Sequence, residues 1–363
     1  MRNILEQYNK VKQASIKDVC QTINAPIKIQ KSEFSTDGKF PIIDQSANLV
    51  AGYTNNKEAI ISNGEYVIFG DHTRIIKFVD YPFAQGADGI KILKAKNNVL
   101  PKYLFYSLCN LDIPNKGYSR HWGLVSNLTI NLPLVNVQEE IVEILDSFTN
   151  LIDALNEELS LRQKQFEYYR EKLLKYKEEF VVDTLENIAP YSKKRISSEE
   201  LNENNYVGVD NLLQNKEGKT NSKNVPISGN LTRYEKGDIL IGNIRPYLKK
   251  IWYADNVGGA SGDVLVFSIK EKELINSRYL YYILSSDEFF DFDNSTARGG
   301  SMPRGDKKVI CKYLIWYPKD IEIQQSIVEK LDAFESLISS LKEEIALRQK
   351  QYEYYREKLL TFD

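Results

Sequence analysis

The feature that most constrains the fold is an internal duplication of one stretch of the chain. Residues 157–174 recur at 343–360, 186 positions later, and 15 of the 18 positions are identical. A repeat of this kind predicts that one structural unit is present twice.

Apolar residues follow one another through both copies with steps that alternate between four and three. This spacing is typical of a coiled-coil seam, and residues 138–180 and 324–363 contain no glycine or proline to interrupt a helix. Each helix would be roughly 60 Å long. Because one long apolar stripe needs a partner, we expect the two helices to pair. The expected seam residues are Leu145, Phe148, Ile152, Leu155, Leu159, Leu331, Phe334, Ile338, Leu341 and Ile345.

The order of segments predicts the orientation of this pairing. A globular segment and a helix alternate twice, so a pseudo-twofold pair of helices must be antiparallel, with the globular segments expected at opposite ends of a rod. Arg162 and Arg348 interrupt the two apolar stripes. Each arginine could cover the seam with its stem while its head reaches water, the interpretation we favour. Alternatively, it could fix the register together with a nearby glutamate.

The two globular segments repeat the same order of parts. Residues 64–78 and 237–251 each predict a strand, a tight polar turn and a second strand, while 101–108 and 278–284 each predict a short helix. Another short helix is expected at the N-terminus. The predicted class is α+β, a tandem duplication with two mixed β-rich domains separated by two long α-helices that form an antiparallel coiled coil. The predicted boundaries are 1–136 for the first domain, 137–180 for the first helix, 181–322 for the second domain and 323–363 for the second helix.

Composition narrows the class of protein. No run of 18 apolar residues is present and the N-terminus lacks the apolar core of a signal peptide, so we expect a cytoplasmic location. Three cysteines and two histidines are too few for a zinc or disulfide framework, and we expect no metal site. The net charge of −2 hides a partition. Residues 138–180 and 324–363 carry −5 and −2, so the rest of the chain carries +5.

Sequence motifs for catalysis are missing. Gly218-Lys219-Thr220 has Leu213 where a phosphate-binding loop needs glycine. Asp71 and His72 are adjacent on a predicted turn, a placement that does not suit an acid–base dyad. We therefore expect the chain to be no enzyme and to hold no cofactor of its own.

Basic and aromatic side chains gather instead on two predicted loops of each globular segment. Arginine can donate two hydrogen bonds to guanine, asparagine can pair with adenine, and lysine mainly meets phosphate. Glycines let a backbone approach phosphates closely. The candidate DNA-binding residues are Asp71, His72, Thr73, Arg74, Lys116, Ser119, Arg120, His121, Asn243, Arg245, Tyr247, Lys249, Lys250, Arg298, Ser301, Arg304 and Lys307.

Over essentially its whole length, the chain resembles the specificity subunit of type I restriction-modification systems. The resemblance is carried by four stretches: Gly70–Thr73, Gly242–Lys250, Ser301–Lys307 and Arg348–Leu360 with its earlier copy. The first half departs from the pattern, because Tyr118–Gly123 stands where the second half has Ser-Met-Pro-Arg-Gly.

The resemblance implies a non-catalytic subunit of a restriction system, whose two target-recognition domains read a bipartite, asymmetric DNA target. The paired helices would act as the spacer between the two parts. It further implies two methyltransferase (modification) subunits and possibly two restriction (motor-nuclease) subunits as partners. Those partners would bind S-adenosylmethionine, ATP and Mg, methylate adenine at N6 and cleave DNA with ATP.

A different class of protein also fits part of the pattern. A coiled-coil adaptor with two β-rich protein-binding heads would explain the duplication and the near-neutral charge. It would not explain basic, glycine-rich loops in both halves, and it predicts binding that is insensitive to salt.

Overall fold

The computed structural model describes residues 11–86 and 89–362 of the chain. The described residues up to Glu157, together with those from Lys342 onward, form one compact unit, and Glu158–Leu341 form a second unit. A short helix was expected where the first segment opens, and residues 1–10 of that segment lie outside the described residues.

The first unit is rich in short strands. A four-stranded antiparallel sheet has the order β2-β10-β7-β8, a second sheet has the order β3-β9-β4-β5 with β6 also paired to β9, and β1 pairs with β11. The strands are β1 (Lys12–Ser15), β2 (Cys20–Ile23), β3 (Lys28–Ile29), β4 (Phe40–Ile43), β5 (Gly52–Thr54), β6 (Ile60–Ile61), β7 (Tyr66–Gly70), β8 (Ile76–Val79), β9 (Phe83–Gly86), β10 (Ile90–Ala95) and β11 (Thr129–Leu132). The helices are α1 (Ile16–Val19), α2 (Pro101–Asn110), α3 (Trp122–Val125) and the first part of α4 (Val135–Leu174).

The core of the first unit joins the sheet to the long helix. Helix α2 begins at Pro101, whose missing N–H costs nothing at a helix start. It buries Tyr103 and Leu104 in the same cluster as Phe69 of the sheet and Leu145 of α4. The strand–turn–strand unit and the short helix predicted for this segment are both confirmed.

The second unit repeats this arrangement with different sheets. The sheets have the orders β17-β16-β19, β13-β15-β18-β14 and β12-β20. The strands are β12 (Val181–Thr184), β13 (Arg195–Ser197), β14 (Tyr206–Val207), β15 (Asn230–Tyr234), β16 (Ile239–Gly242), β17 (Ile251–Tyr253), β18 (Gly258–Ala260), β19 (Val264–Phe267) and β20 (Leu314–Tyr317). The helices are α5 (Leu185–Ile188), α6 (Ser277–Leu284), α7 (Asp287–Thr296), α8 (Lys307–Ile310) and the first part of α9 (Ile321–Thr361). The last part of α4 also belongs to this unit, and the last part of α9 belongs to the first unit.

Helix α7 was not predicted from the sequence. Its start carries a recognisable signal, since Ser286 accepts a hydrogen bond from the Phe289 N–H and two acidic residues follow at once. A serine cap before acidic residues predicts a helix N-terminus.

The two long helices run antiparallel in each unit, as predicted. In the first unit Phe148 of α4 stacks on Tyr355 of α9, with ring centroids 5.4 Å apart. In the second unit the later residue Tyr169 stacks on the earlier residue Phe334, also at 5.4 Å. Numbers that rise on one helix while they fall on the other identify an antiparallel pair. All ten predicted seam residues are buried or half-buried.

The first long helix is shorter than predicted at its C-terminal end. It ends at Leu174, so residues 175–180, predicted to be helical, lie outside it. The Trp316 indole N–H donates to the Leu174 carbonyl at 2.6 Å and occupies an acceptor that a further turn of helix would use. The chain then turns into β12, which pairs with β20.

The two arginines of the seam form hydrogen bonds along their own helices. Arg162 bonds to the Glu158 carboxylate and the Gln165 amide oxygen, and Arg348 bonds to the equivalent residues Glu344 and Gln351. Both side chains are 35–39% exposed. The half-exposed heads fit an arginine whose stem covers the seam, and the nearby glutamate that the register alternative requires is also bonded to each arginine.

Candidate nucleic-acid interface

The turn between β7 and β8 forms the first part of the candidate site in the first unit. Gly70 donates to the Ile75 carbonyl at 2.7 Å, and Arg74 donates to the Gly70 carbonyl at 2.8 Å. A Cβ at Gly70 would collide with the Thr73 hydroxyl, so a larger residue here would displace the Thr73 side chain. Arg74 adopts a left-handed backbone with φ 63°.

A second loop, residues 113–121, packs against this turn. The Asp71 carbonyl accepts the backbone N–H of His121 at 2.9 Å, and the Asp71 carboxylate accepts the N–H of Trp122 at 2.7 Å. The Arg74 guanidinium donates to the Ile113 carbonyl at 2.8 Å. The structure therefore brings together the two loops that the sequence singled out.

Two residues predicted to bind DNA in this unit lie in the interior. Asp71 is 3% exposed and His121 is fully buried. His121 places Nδ1 2.9 Å from the Asp71 carbonyl, and its Nε2 accepts the Lys116 N–H at 3.2 Å. These side chains hold the loops in place, and they do not reach the surface as direct DNA contacts require.

The remaining predicted residues of the first unit lie nearer the surface. His72 is half-buried and stacks on Tyr118, with ring centroids 4.6 Å apart and planes 12° apart. Lys116 and Arg120 are exposed. Thr73 is also exposed, although its hydroxyl donates to the Gln45 carbonyl at 2.8 Å. Ser119 is half-buried.

The second unit joins its two predicted loops in the same way. The Arg245 N–H donates to the Pro303 carbonyl at 2.7 Å, and the Gly305 N–H donates to the Asn243 carbonyl at 3.2 Å. Arg298 and Arg304 exchange backbone hydrogen bonds of 2.9 and 2.8 Å, which close the glycine-rich loop into a short hairpin.

Cations on these loops face solvent. We call Arg245, Arg298, Arg304, Lys307 and Lys308 the basic ridge, and all five are exposed. Asp263 accepts from Arg304 at 3.1 and 3.5 Å, and Asp306 lies 3.4 Å from Arg298. Two carboxylates against five cations leave the ridge positive, as binding to phosphates requires.

Two other predicted residues of the second unit, Asn243 and Lys250, are buried. Asn243 is 3% exposed, and Lys250 is 9% exposed with its Nζ 2.5 Å from the Val209 carbonyl. Burial lowers the pKa of Lys250, against the attraction of Asp210. A buried lysine tied to a carbonyl positions the backbone, and neither Lys250 nor Asn243 reaches the surface as a direct DNA contact requires.

The other predicted residues of this unit differ in whether they are already paired or remain exposed to solvent. Lys249 Nζ lies 2.8 Å from the Asp287 carboxylate, which also binds Lys216 at 2.7 Å. Tyr247 is 50% exposed, and Ser301 is exposed on the glycine-rich loop. Tyr247 and Ser301 are therefore accessible to a ligand, whereas Lys249 is already paired with Asp287.

Two exposed apolar side chains at the tips of the loops were not among the predicted residues. Tyr118 is 87% exposed and Met302 is 48% exposed. The signal was present in the sequence, because Tyr118 lies among lysine, glycine, serine and arginine, and Met302 lies among glycine, serine, proline and arginine.

Neither a metal-binding cluster nor a membrane-spanning helix occurs in the described part of the chain. It contains no group of three or more His, Cys, Asp or Glu side chains placed to hold a metal ion. Likewise, none of the helices in residues 11–86 and 89–362 is long and apolar enough to cross a membrane.

The chain is similar to known DNA specificity proteins of type I restriction-modification systems. The family model described as "Type I restriction modification DNA specificity domain" matches residues 8–161 and 177–347. The Escherichia coli type I restriction enzyme EcoR124I/EcoR124II specificity subunit is 28% identical, over 92% of this chain and 90% of that protein. A putative specificity subunit of Haemophilus influenzae is also 28% identical, over 98% and 96%.

A solved structure has a similar fold. The crystal structure of a type I restriction-modification S subunit from M. genitalium aligns with a TM-score of 0.65 and 16% identity, over 97% of both chains. This match supports the tandem α+β architecture predicted from the sequence.

Proposed function

Since this chain belongs to the family of type I restriction-modification DNA specificity subunits, we propose that each of its two units reads one part of a split, asymmetric DNA sequence. The chain is a DNA-recognition subunit and not an enzyme, because members of this family are specificity subunits whose partners carry the catalysis. Family membership also disfavours the adaptor alternative.

One observation carries the proposal of two reading heads. In each unit the turn after a buried strand (β7 or β16) is joined by backbone hydrogen bonds to a second, basic loop. The framework is therefore constant, while the side chains on the two loops differ between the units. This combination suits two readers of different sequences.

The chemistry of reading has two components. The lysines of the basic ridge would neutralise phosphates, which sets affinity and register in a salt-dependent way. Arg245 and Arg304 would donate to base edges, because arginine can bind guanine through two hydrogen bonds. In the first unit Arg120 and Lys116 are exposed beside the His72–Tyr118 stack and would serve the same purposes.

The partners that we propose follow from the family and the duplication. Two nearly identical helical stretches can present the same surface twice, which suits two copies of a methyltransferase subunit. Two restriction subunits could join them. S-adenosylmethionine, ATP and Mg would bind to those partners, and the assembly would act on DNA in the cytoplasm.

Selection from a random duplex pool tests the proposal. The chain, purified with its methyltransferase subunit, should enrich two short sequences separated by a constant gap, and its affinity should fall steeply as salt rises. Retention of DNA without sequence preference, or binding that is insensitive to salt, would contradict it.

A further inference from the structure

Two pairs of backbone hydrogen bonds align the recognition loops of the two units residue by residue. In the first unit Asp71 donates to the Gly89 carbonyl at 2.7 Å and accepts the His121 N–H at 2.9 Å. In the second unit Asn243 donates to the Asp263 carbonyl at 2.9 Å and accepts the Gly305 N–H at 3.2 Å. His121 and Gly305 are therefore equivalent positions.

The equivalence of His121 and Gly305 also makes the residues that precede them in the two loops equivalent. Arg120 is equivalent to Arg304, one residue before the anchor, and Tyr118 is equivalent to Met302, three residues before it. Sequence comparison of the two halves conceals this pairing, because the loops share almost no residues around it.

Both tip residues are apolar and exposed. Tyr118 is 87% exposed and Met302 is 48% exposed. A partner that covers such a side chain removes apolar surface from water, which favours binding. An exposed arginine two residues later, Arg120 or Arg304, stands beside each tip and is suited to a phosphate or a base.

Each tip is also supported from behind. Gly117 adopts a left-handed backbone with φ 67°, Ser119 donates to the Gly117 carbonyl at 2.9 Å, and the Tyr118 ring between them rests on His72. In the second unit Arg245 bonds to the residues on both sides of Met302: its N–H donates to the Pro303 carbonyl at 2.7 Å and its Nη2 lies 3.5 Å from the Ser301 carbonyl. Supported tips lose little conformational freedom on binding.

We propose that Tyr118 and Met302 are the equivalent wedge residues of the two units, each inserted against a base step and partly unstacking it while the neighbouring arginine holds the DNA. Apolar side chains, methionine among them, insert between base steps in other DNA-binding proteins, and aromatic rings stack on bases. The wedge adds a contact within each half-site that depends on how easily its base step deforms. This inference rests on the proposed function of the two units.

Fluorescence of 2-aminopurine tests the wedge directly, since unstacking raises its emission. The chain in complex with its methyltransferase subunit binds the selected split site, with 2-aminopurine at successive positions. Apart from the target adenine, which the methyltransferase itself unstacks when it flips that base, the intact complex should brighten one step in each half-site. Tyr118→Ala should abolish the signal in one half-site only, and Met302→Ala in the other only. Each variant should weaken binding about 5- to 100-fold.

Conservative variants keep the test specific. Tyr118→Phe and Met302→Leu preserve an apolar tip and should keep both the fluorescence and the affinity. Lys116→Ala removes a cation from the same loop and should weaken binding while the fluorescence remains. Unchanged fluorescence and affinity in both alanine variants would overturn the wedge but leave split-site reading intact. An intact complex that selects no split site would overturn both.

Discussion

Gln138 and Gln324 occupy the fourth position of the two long helices, and each makes the same three hydrogen bonds. Gln138 donates to the Asn98 and Pro133 carbonyls at 3.0 and 2.9 Å and accepts the Leu100 N–H at 2.9 Å. Gln324 donates to the Leu274 and Pro318 carbonyls at 3.0 and 2.8 Å and accepts the Asn276 N–H at 2.8 Å. Both glutamines are fully buried. Each therefore ties a long helix to the start of the short helix of its own unit.

Removing either amide should destabilise its unit strongly. Gln324→Ala leaves two carbonyls and one N–H without their bonds, so we expect the second unit to lose about 2–4 kcal/mol of its free energy of unfolding. Urea denaturation followed by the fluorescence of Trp252 and Trp316 measures this loss. The exposed neighbour is a matched control, since Gln325→Ala should cost less than about 0.5 kcal/mol. Equal losses in the two variants would contradict the anchoring role.

Truncating the two exposed arginines that face the proposed DNA surface should reduce discrimination at one half-site. Arg245→Ala or Arg304→Ala should weaken binding by about 1–3 kcal/mol and relax the preference at a base that the arginine reads. Competition binding against single-base variants of the selected site measures both effects. The buried Lys250 provides the contrast, because Lys250→Ala should lower stability without a base-specific change. An unaltered preference at every base after both arginine changes would exclude their reading role.

Lengthening both helices by one heptad should change the gap and leave the half-sites alone. Seven residues inserted after Glu158 and seven after Glu344 preserve the seam register and keep the Phe148–Tyr355 and Tyr169–Phe334 pairs. Each helix grows by about 10 Å, or about three base pairs of DNA at 3.4 Å each. Selection from a random pool should return the same two half-sites with a longer gap. The same half-sites with the original gap would contradict a spacer role for the helices.

The buried Asp293 should make the second unit less stable as pH rises. Burial raises the pKa of Asp293 to about 7, above about 3.9 in the unfolded chain. Between pH 4 and 7 the unfolded chain releases this proton first, so the stability present below pH 4 is progressively lost. Asp293→Asn should therefore be more stable than the parent at pH 8, by at most about 4 kcal/mol, and equal to it near pH 4.

Thermal unfolding from pH 4 to 8 measures this difference, with Asp291→Asn as an exposed control on the same helix. A parent and an Asp293→Asn variant that lose stability in parallel over this range would rule out the carboxyl as the cause.

Periodicity was sufficient to predict the helices, and the order of segments along the chain predicted that they pair antiparallel. The seam spacing can be read from neighbouring residues along the chain. The end of the first helix, by contrast, depends on a side chain that is distant in sequence. Tyr176 continues the apolar spacing, but the indole N–H of Trp316, 142 residues later in the sequence, donates a hydrogen bond to the Leu174 carbonyl. Such a contact cannot be read from the residues around position 174.

The loops were recognisable as loops, but the direction of their side chains was not. Asp71 and His72 are neighbours in sequence, and one is buried under a second loop while the other faces an exposed ring. Lys250 belongs to a basic cluster in the sequence, yet it points inward to the Val209 carbonyl. Burial of a polar side chain depends on whether a partner from elsewhere in the chain satisfies it.

Mapping of N6-methyladenine tests the central claim most directly. The chain is co-expressed with the methyltransferase subunit of its system in a host that lacks DNA methylation, and the modified adenines are located by single-molecule sequencing. Split recognition predicts one asymmetric motif in two short parts, separated by a gap of constant length. New methylation within a single uninterrupted motif, or none at all from a complex that assembles and stays in solution, would contradict it.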